Sequence, residues 1–436
     1  MPNRQIPPTV HLPAVTSLPP ARHWTLSNGL RVIAVGGATQ PIIGLNVVFN
    51  AGRPYERQRL VARATNQLIA EGTRRRNGAA LEEYFEFYGT SLRTPNLFDV
   101  GSLEVYTIHD HLAKVLPVFA EVMIEPAFSE KEFVTFVKRS RQGLREDLTD
   151  PDTIAYRYFT EFIFGEQHPY GYNGSLQDYS ALRLADVKAH YARTYGAQNA
   201  TLIVSGQLNQ NVENLIERYL GQLPLGALQV PESLVEQTAR PGVWQLHRPK
   251  AQQTLIRRGQ ALFTRNHPDY PGMSVLNTIF GGYFGSRLMR NIREDKGYTY
   301  GIESGIDFMR FGGFLTISAD VANENLTNVR REINREIEKL RTDLIPETEL
   351  GLVRSYLLGS LLGEIDGPLN VAQRYQLSEI EAVSPDHFAK LLDTIRHISS
   401  QELRELAQKY LRLSGDWEVI VGGAKQLDEA RSIIPK

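Results

Sequence analysis

Three short stretches of this 436-residue chain come back at a single spacing. Glu130-Lys131-Glu132-Phe133 returns as Glu347-Thr348-Glu349-Leu350. Asp150-Pro151 with Ala155-Tyr156-Arg157-Tyr158 returns as Gly367-Pro368 with Ala372-Gln373-Arg374-Tyr375. Ile203-Val204-Ser205-Gly206 returns as Ile420-Val421-Gly422-Gly423, and all three lie 217 residues apart. Chance supplies one such pair easily; three on one offset are another matter. The period is far above the roughly 20–50 residues of solenoids and propellers, so it marks a duplicated domain. The length agrees, because 436 residues exceed one typical core.

Within each copy, alternating apolar residues mark strands and longer 3.6-period segments mark helices. Trp24 to Ile33 reads as a hairpin with Asn28-Gly29 at its turn. Ile42–Phe49 reads as a strand and Leu60–Glu71 as a helix. Residues 111–124 and 326–341 read as amphipathic helices after strands Leu103–Ile108 and Phe314–Ala319. Ala185-Asp186-Val187 with Tyr191 and Tyr195 has the same helical look as Gln401-Glu402-Leu403 with Leu406 and Tyr410. Strands and helices mix without strict βαβα alternation, so the fold class expected is α+β. It comprises two homologous domains, each a mainly antiparallel sheet packed against helices. The expected boundaries are an extended Pro-rich arm at 1–22, an N-terminal domain at 23–224, a linker at 225–241 and a C-terminal domain at 242–436.

Composition narrows the chemistry. A net charge of −1 and a pI near 6.8 give no electrostatic reason to expect nucleic acid or an acidic membrane. The run Arg74-Arg75-Arg76, beside a Gly and a Thr, reads as a solvated turn. With no cysteine, thiolate catalysis, disulfides and Cys-based metal sites are excluded, and the redox compartment stays open. No run of 18 apolar residues exists to span a bilayer. Met1–Arg22 has no apolar core of a signal peptide. The compartment expected is therefore the periplasm if a leader was removed, or the cytoplasm if the chain is complete as given.

The richest local block is Gly281-Gly282-Tyr283-Phe284-Gly285-Ser286-Arg287-Leu288, followed by Ile292-Arg293-Glu294-Asp295-Lys296-Gly297-Tyr298-Thr299-Tyr300-Gly301. A glycine-rich loop leads into a short amphipathic segment and then to Arg293 and Tyr300, seven residues apart. A guanidinium and a phenol both donate to a polarised carbonyl. Nothing beside them is a nucleophile or a metal ligand. The plainer reading makes Arg293 a surface residue paired with Glu294 or Asp295 and Tyr300 a core-edge aromatic beside Tyr298. The glycines have two readings: a lip over a peptide cavity, or turn residues needed only for positive φ. Elsewhere, His109-Asp110-His111 puts two imidazoles on one face of an extended segment, a chelating pair or, at a strand-to-helix corner, a solvated one. His168 in His-Pro-Tyr-Gly reads as structural. No Gly-x-Ser-x-Gly elbow and no phosphate-binding loop is present.

The duplication, together with Asn28-Gly29-Leu30-Arg31-Val32, Asn50-Ala51-Gly52-Arg53, Glu71-Gly72-Thr73, Phe164-Gly165 with His168-Pro169-Tyr170-Gly171, and the Gly281–Gly301 block, resembles the pitrilysin/insulinase-like zinc metallopeptidases, which include the mitochondrial processing peptidase subunits. The resemblance runs from about Trp24 to Gly423. Catalytic members carry His-x-x-Glu-His just before the Gly-Thr pair, two His for zinc and a Glu as base. The matching positions here are Arg63-Ala64-Thr65-Asn66-Gln67. Ligands and base are gone, leaving Arg63, Asn66 and Gln67 as a degenerate zinc motif. The third ligand's place falls at Gln142-Gly143-Leu144, with Glu146 nearby as the residue that keeps that alignment open. The Arg and Tyr of the second domain are retained as Arg293 and Tyr300.

The resemblance implies a chain that is inactive alone and holds no metal or cofactor itself. It would form a heterodimeric metalloendopeptidase with a homologous His-x-x-Glu-His subunit that carries the zinc. Arg293 and Tyr300 would act in trans, and Gly281, Gly282 and Gly285 would touch an unfolded peptide substrate bound at a sheet edge. The alternative is a non-catalytic scaffold or peptide-binding subunit of the same fold. A self-sufficient homodimeric peptidase is contradicted by Arg63, Asn66 and Gln67.

Overall fold

The computed structural model describes residues 15–232, 234, 239–384 and 386–433. Residues 1–14 of the Pro-rich arm and 233 and 235–238 of the stretch between the halves lie outside the described residues. The first half runs β1 (Arg22–Thr25), β2 (Arg31–Val35), β3 (Ile42–Phe49), α1 (Val61–Leu68), α2 (Gly78–Phe87), β4 (Leu92–Arg93), β5 (Gly101–Ile108), α3 (Leu112–Ile124), α4 (Glu130–Asp147), α5 (Pro151–Phe164), α6 (Leu176–Ala181), α7 (Leu184–Thr194), β6 (Ala200–Gly206) and α8 (Gln210–Leu220). The second runs β7 (Gly242–His247), β8 (Gln253–Leu262), α9 (Tyr270–Phe280), a π-helical segment (Met289–Asp295), β9 (Thr299–Met309), β10 (Gly312–Ala322), α10 (Leu326–Thr342), α11 (Glu347–Gly363), α12 (Gly367–Glu381), α13 (His387–His397), α14 (Ser400–Tyr410), β11 (Trp417–Gly422) and β12 (Arg431–Ser432).

The two sheets are built alike. Their strand orders are β1-β2-β6-β3-β5-β4 and β12-β7-β11-β8-β10-β9. Each is antiparallel except where β2 meets β6, and where β7 meets β11 and β12. The fold is α+β, as the mixed pattern of strands and helices predicts. The repeat offset falls on equivalent elements: α4 with α11, α5 with α12, and β6 with β11. Helix starts follow the sequence. Asp150 caps α5 by accepting from the Thr153 amide, with Pro151 just inside. Ser129 caps α4 the same way. The Asn28-Gly29 turn joins β1 to β2, with Gly29 at φ 84°, a left-handed conformation that favours glycine. The helix expected over Leu60–Glu71 is shorter. It ends at Leu68 because the chain then turns to form isolated bridges from Gly72 to Asn77 and from Thr73 to Pro126.

Alternation along the strands divides each sheet's side chains between two faces. In the first sheet, Ile43, Leu45, Val47, Phe49, Leu103, Val105, Leu202 and Val204 face a core shared with the first half's own helices. Val35, Val48 and Ile203 face the other way, and Val371 and Ala372 of α12, a helix of the second half, cover them. The second sheet repeats this in reverse. Its Leu255, Phe314, Val419 and Val421 are covered by Ile154, Ala155, Phe159 and Ile163 of α5, a helix of the first half. The halves thus exchange one helix each. Arg310, in the β9–β10 turn, ties the exchange together. Its guanidinium donates to Asn50 Oδ1 at 2.6 Å, to Tyr55 Oη at 2.9 Å and to the Ile380 carbonyl at 2.8 Å, and its amide to Asp99 Oδ2 at 3.0 Å. Residues 15–21 of the arm lie across α12 and α13, with the Tyr375 hydroxyl donating to the Pro19 carbonyl at 2.9 Å.

Candidate functional site

The Gly281–Tyr300 block wraps the end of the second half's core. Phe280, Leu288 and Ile292 are fully buried and anchor it. Arg287 forms a two-pronged pair with Glu349 at 2.8 and 2.9 Å. Asn291 donates to Glu332 and Glu336 of α10 at 3.1 and 2.7 Å. The helix from Met289 to Asp295 is of the wide π type, a form found often at functional sites because it displaces one residue from the regular ladder. Arg293 sits on this segment. It makes no ion pair with Glu294, Asp295 or any other described carboxylate. Its guanidinium lies 4.9 Å over the ring of Phe284, itself 65% exposed.

Tyr300 follows on a β-bulge. The pairing of β9 with β10 shifts between Ala319 and Val321, so Tyr300 and Gly301 together oppose Asp320. The Thr299 hydroxyl holds the bulge by donating to the Gly301 and Asp320 carbonyls at 2.8 and 2.5 Å. A bulge re-aims the side chain it carries. Tyr300 is 88% exposed, so it is not a core-edge aromatic. The sequence missed Phe284, which seats the guanidinium, and Thr299, which fixes the bulge. A glycine within a strand pattern, Gly301, was the available signal for the latter.

Positive φ does not explain the glycines of the lip, since none of Gly281, Gly282 or Gly285 has it. Close packing does. A Cβ on Gly281 would come within 2.6 Å of the Ser304 amide nitrogen, which donates to the Gly281 carbonyl. One on Gly282 would meet Thr278 Cα at 2.9 Å, and one on Gly285 the Tyr283 ring at 2.8 Å. Gly281, Gly282 and Phe284 border a cavity of about 540 Å³ against Gly301–Ser304, with Asp152 and Arg257 on its far side. Gly285, Arg293 and Tyr300 are not in its lining, although Gly301, next to Tyr300, is. Asp320 on the same cavity has its carboxyl raised, by burial first and then by Asp152 and Asp150.

Arg63, Asn66 and Gln67, read from the sequence as a degenerate zinc motif, lie in the other half, on α1. Asn66 is buried and committed to structure. Its amide donates to the Pro95 carbonyl at 2.9 Å, and its oxygen accepts from the Ser102 amide at 2.9 Å and the Tyr195 hydroxyl at 3.1 Å. Gln67 borders a groove between α1, α2 and α4, and Arg63 borders a cavity closed by Gly143 and Leu144. Glu146 is exposed and accepts from Gln142 at 2.7 Å. A guanidinium, a saturated amide and a second amide do not fit a zinc ion, which needs three anionic or imidazole donors. Among the described residues no group of three or more His, Asp or Glu could hold a metal.

The histidines singled out in the sequence, and His190, are accounted for locally. His109 faces Asp110 and Asn209, whereas His111 faces the Tyr88 carbonyl, so the two do not converge. His168 is buried, accepts from the Tyr170 amide at 3.1 Å and stacks on Phe164. His190 is on the buried face of α7, its Nε2 2.9 Å from the Ala51 carbonyl, and burial pushes its pKa down to about 4. In the Arg74–Arg76 turn, Arg75 and Arg76 pair with Glu125 and Glu121 at the end of α3. No described helix is long and apolar enough to cross a membrane.

Known proteins carry this architecture. Residues 181–357 match the family model described as the peptidase M16 inactive domain. The chain is 19% identical over 400 residues to the uncharacterized zinc protease YmxG of Bacillus subtilis, spanning 89% of this chain and 95% of that protein. The crystal structure of a peptidase M16 inactive domain from Pseudomonas fluorescens superposes with a TM-score of 0.85 at 22% identity, covering 93% of this chain and all of that one. The periplasmic protease PqqL of Escherichia coli superposes with a TM-score of 0.73 at 17% identity, over 92% of this chain but 47% of PqqL. Residues 181–357 thus carry the M16 inactive-domain pattern, and the duplicated α+β fold of the whole chain is similar to that of pitrilysin/insulinase-like M16 peptidases.

Proposed function

We propose that this chain is the zinc-less subunit of a heterodimeric metallopeptidase and lends Arg293 and Tyr300 to a zinc site on a homologous His-x-x-Glu-His partner. One observation carries the reading: a phenol that is 88% exposed, held on a bulge that a neighbouring hydroxyl pins, seven residues after a guanidinium that has no carboxylate partner among the described residues. An exposed Tyr and an unpaired Arg bring nothing to this chain's core. Their donors suit a peptide carbonyl arriving from outside. As that carbonyl is attacked, charge builds on its oxygen, and a fixed phenol O–H and a guanidinium stabilise it. The partner's zinc would supply the activated water. Gly281, Gly282 and Gly285 would let an extended peptide backbone approach the lip closely. PqqL, about half of which this chain matches, supports a shell built from two such units.

The test mixes the purified chain with a His-x-x-Glu-His homologue from the same organism and follows cleavage of an unstructured peptide. Each chain alone should be inert and the mixture active. Arg293→Ala or Tyr300→Phe should lower kcat by about 100- to 1000-fold, with assembly by analytical ultracentrifugation unchanged. Undiminished turnover in both variants refutes the role in trans. A mixture that retains peptide yet never cleaves it leaves the scaffold reading in its place.

A further inference from the structure

The place of the dismantled metal motif has a chemistry of its own. Arg63 on α1, Arg53 ahead of it, Arg139 on α4 and Arg157 on α5 line one cavity of about 310 Å³, with Asp147 the single carboxylate in its lining. Two of the four are fixed by neutral groups. Arg53 lies 4.4 Å over the Phe98 ring and 4.7 Å over Tyr172, and donates to the Pro169 and Tyr172 carbonyls at 3.3 Å. Arg157 donates to the Gly174 carbonyl at 2.9 Å. Arg63 and Arg139 make no side-chain hydrogen bond or ion pair among the described residues, and Arg63 Nε is buried without a partner. Glu56, Glu71 and Glu161 act electrostatically on Arg53, Arg139 and Arg157 respectively, but none borders the cavity.

Gathering four guanidinium groups against one carboxylate is unfavourable unless an anion completes the set, and a cleft focuses the resulting positive potential. The guanidinium fork matches a carboxylate in a two-pronged geometry. The surroundings say what carries the anion. Arg139 and Ser140 also border a groove of about 880 Å³ that runs between α1, α2 and α4 beside Ser91, Leu92 and Thr94. Glu71, Glu82, Glu86 and Glu132 line it too, so any preference for a carboxylate is confined to the arginine cavity at its end. Leu92 belongs to β4, the outermost strand of its sheet, so one side of its backbone is open to an added strand.

We propose that this cavity captures a carboxylate of an extended peptide laid along β4, either an acidic side chain or the peptide's own C-terminus. The proposal takes the peptide nature of the ligand from the function proposed above. Its charge preference rests on the arginines alone.

The full chain without a partner is titrated into nonapeptides of Ser, Thr and Val labelled with an uncharged BODIPY dye, at low ionic strength, read by anisotropy. Four probes separate the sources: an internal Glu or its Gln counterpart, each with a free or amidated C-terminus. A carboxylate-bearing probe should bind at least about 10-fold more tightly than the amidated Gln probe. Arg63→Gln and Arg139→Gln should each erase that advantage. Neither residue makes a side-chain hydrogen bond or ion pair among the described residues, so thermal melts should stay close to the parent. Preference for the internal Glu assigns a side chain, and preference for the free terminus assigns the C-terminus. Equal binding of all four probes, no binding of any, or an undiminished preference in both variants overturns the proposal. Because no partner and no turnover are involved, such a failure leaves the test of Arg293 and Tyr300 standing.

Discussion

Truncating Phe159 tests whether the exchanged helices make the two halves one unit. Phe159 belongs to α5 of the first half, yet it is fully buried against the second sheet. Its ring meets Phe314 edge-on at 5.6 Å, and it lies over Gly259, where an added Cβ would come within 2.9 Å of its Cζ. A sheet cannot collapse readily into the space left behind. Phe→Ala should therefore fall in the middle of the usual range, about 4 kcal/mol, or roughly a thousandfold in the folding equilibrium. Two tryptophan backgrounds report on the halves separately. With Trp24 replaced, Trp244 and Trp417 report on the second sheet and α5, where both are buried. With those two replaced, Trp24 reports on the first core. Under urea, Phe159→Ala should move both signals by the same free energy. If the Trp24 transition stays in place while the other moves by several kcal/mol, the halves are separately stable and the interlock does not couple them.

Glu56 offers a pH test. Burial raises its carboxyl to about 7 despite the Tyr172 hydroxyl, Arg53 and the Ala62 amide, which pull the other way. The protonated form is favoured by folding, so its contribution is full below pH 4.5 and lost as pH rises through 7. His190 has the opposite sign: its contribution is present above 6.5 and lost as pH falls through about 4. Comparing the parent with Glu56→Gln cancels His190, and the parent should lose about 3 kcal/mol relative to the variant across pH 4.5–7.5 in denaturant titrations; parallel curves would count against it. At the lip, Gly281→Ala should cost about 1–3 kcal/mol through its clash with Ser304, and it should also lower turnover of the mixture. Gly297→Ala, at φ 63° with nothing within 4 Å of its Cβ, should cost about 1 kcal/mol of backbone strain and no more. Equal effects at the two glycines would refute the packing argument.

Much of this molecule was legible in its residues because the signals were local or repeated. Asp150-Pro151 and Ser129 fixed helix starts, Asn28-Gly29 fixed a turn, and the 217-residue offset fell on equivalent elements. That Arg63, Asn66 and Gln67 are the wrong donors for zinc follows from residue type alone, whatever their setting. What stayed hidden depends on distant partners. Periodicity shows that α5 and α12 have apolar faces, but not that each lies on the other half's sheet. The bulge under Tyr300 arises from a register shift against β10, which a single strand does not disclose. The four arginines come from four separate segments and meet only in the fold. Close packing, not turn geometry, governs the glycines of the lip, and no string of residues distinguishes the two.

The helix exchange also bears on biosynthesis. Val35, Val48 and Ile203 leave the ribosome by the end of β6, but the helix that covers them, with Val371 and Ala372, follows only about 165 residues later. At roughly 5–20 residues per second, that outer face of the nascent sheet waits about 10–30 s for its cover. During that interval the nascent chain presents an aliphatic surface that holdase chaperones recognise, and a polypeptide stopped after the first half would keep it exposed permanently.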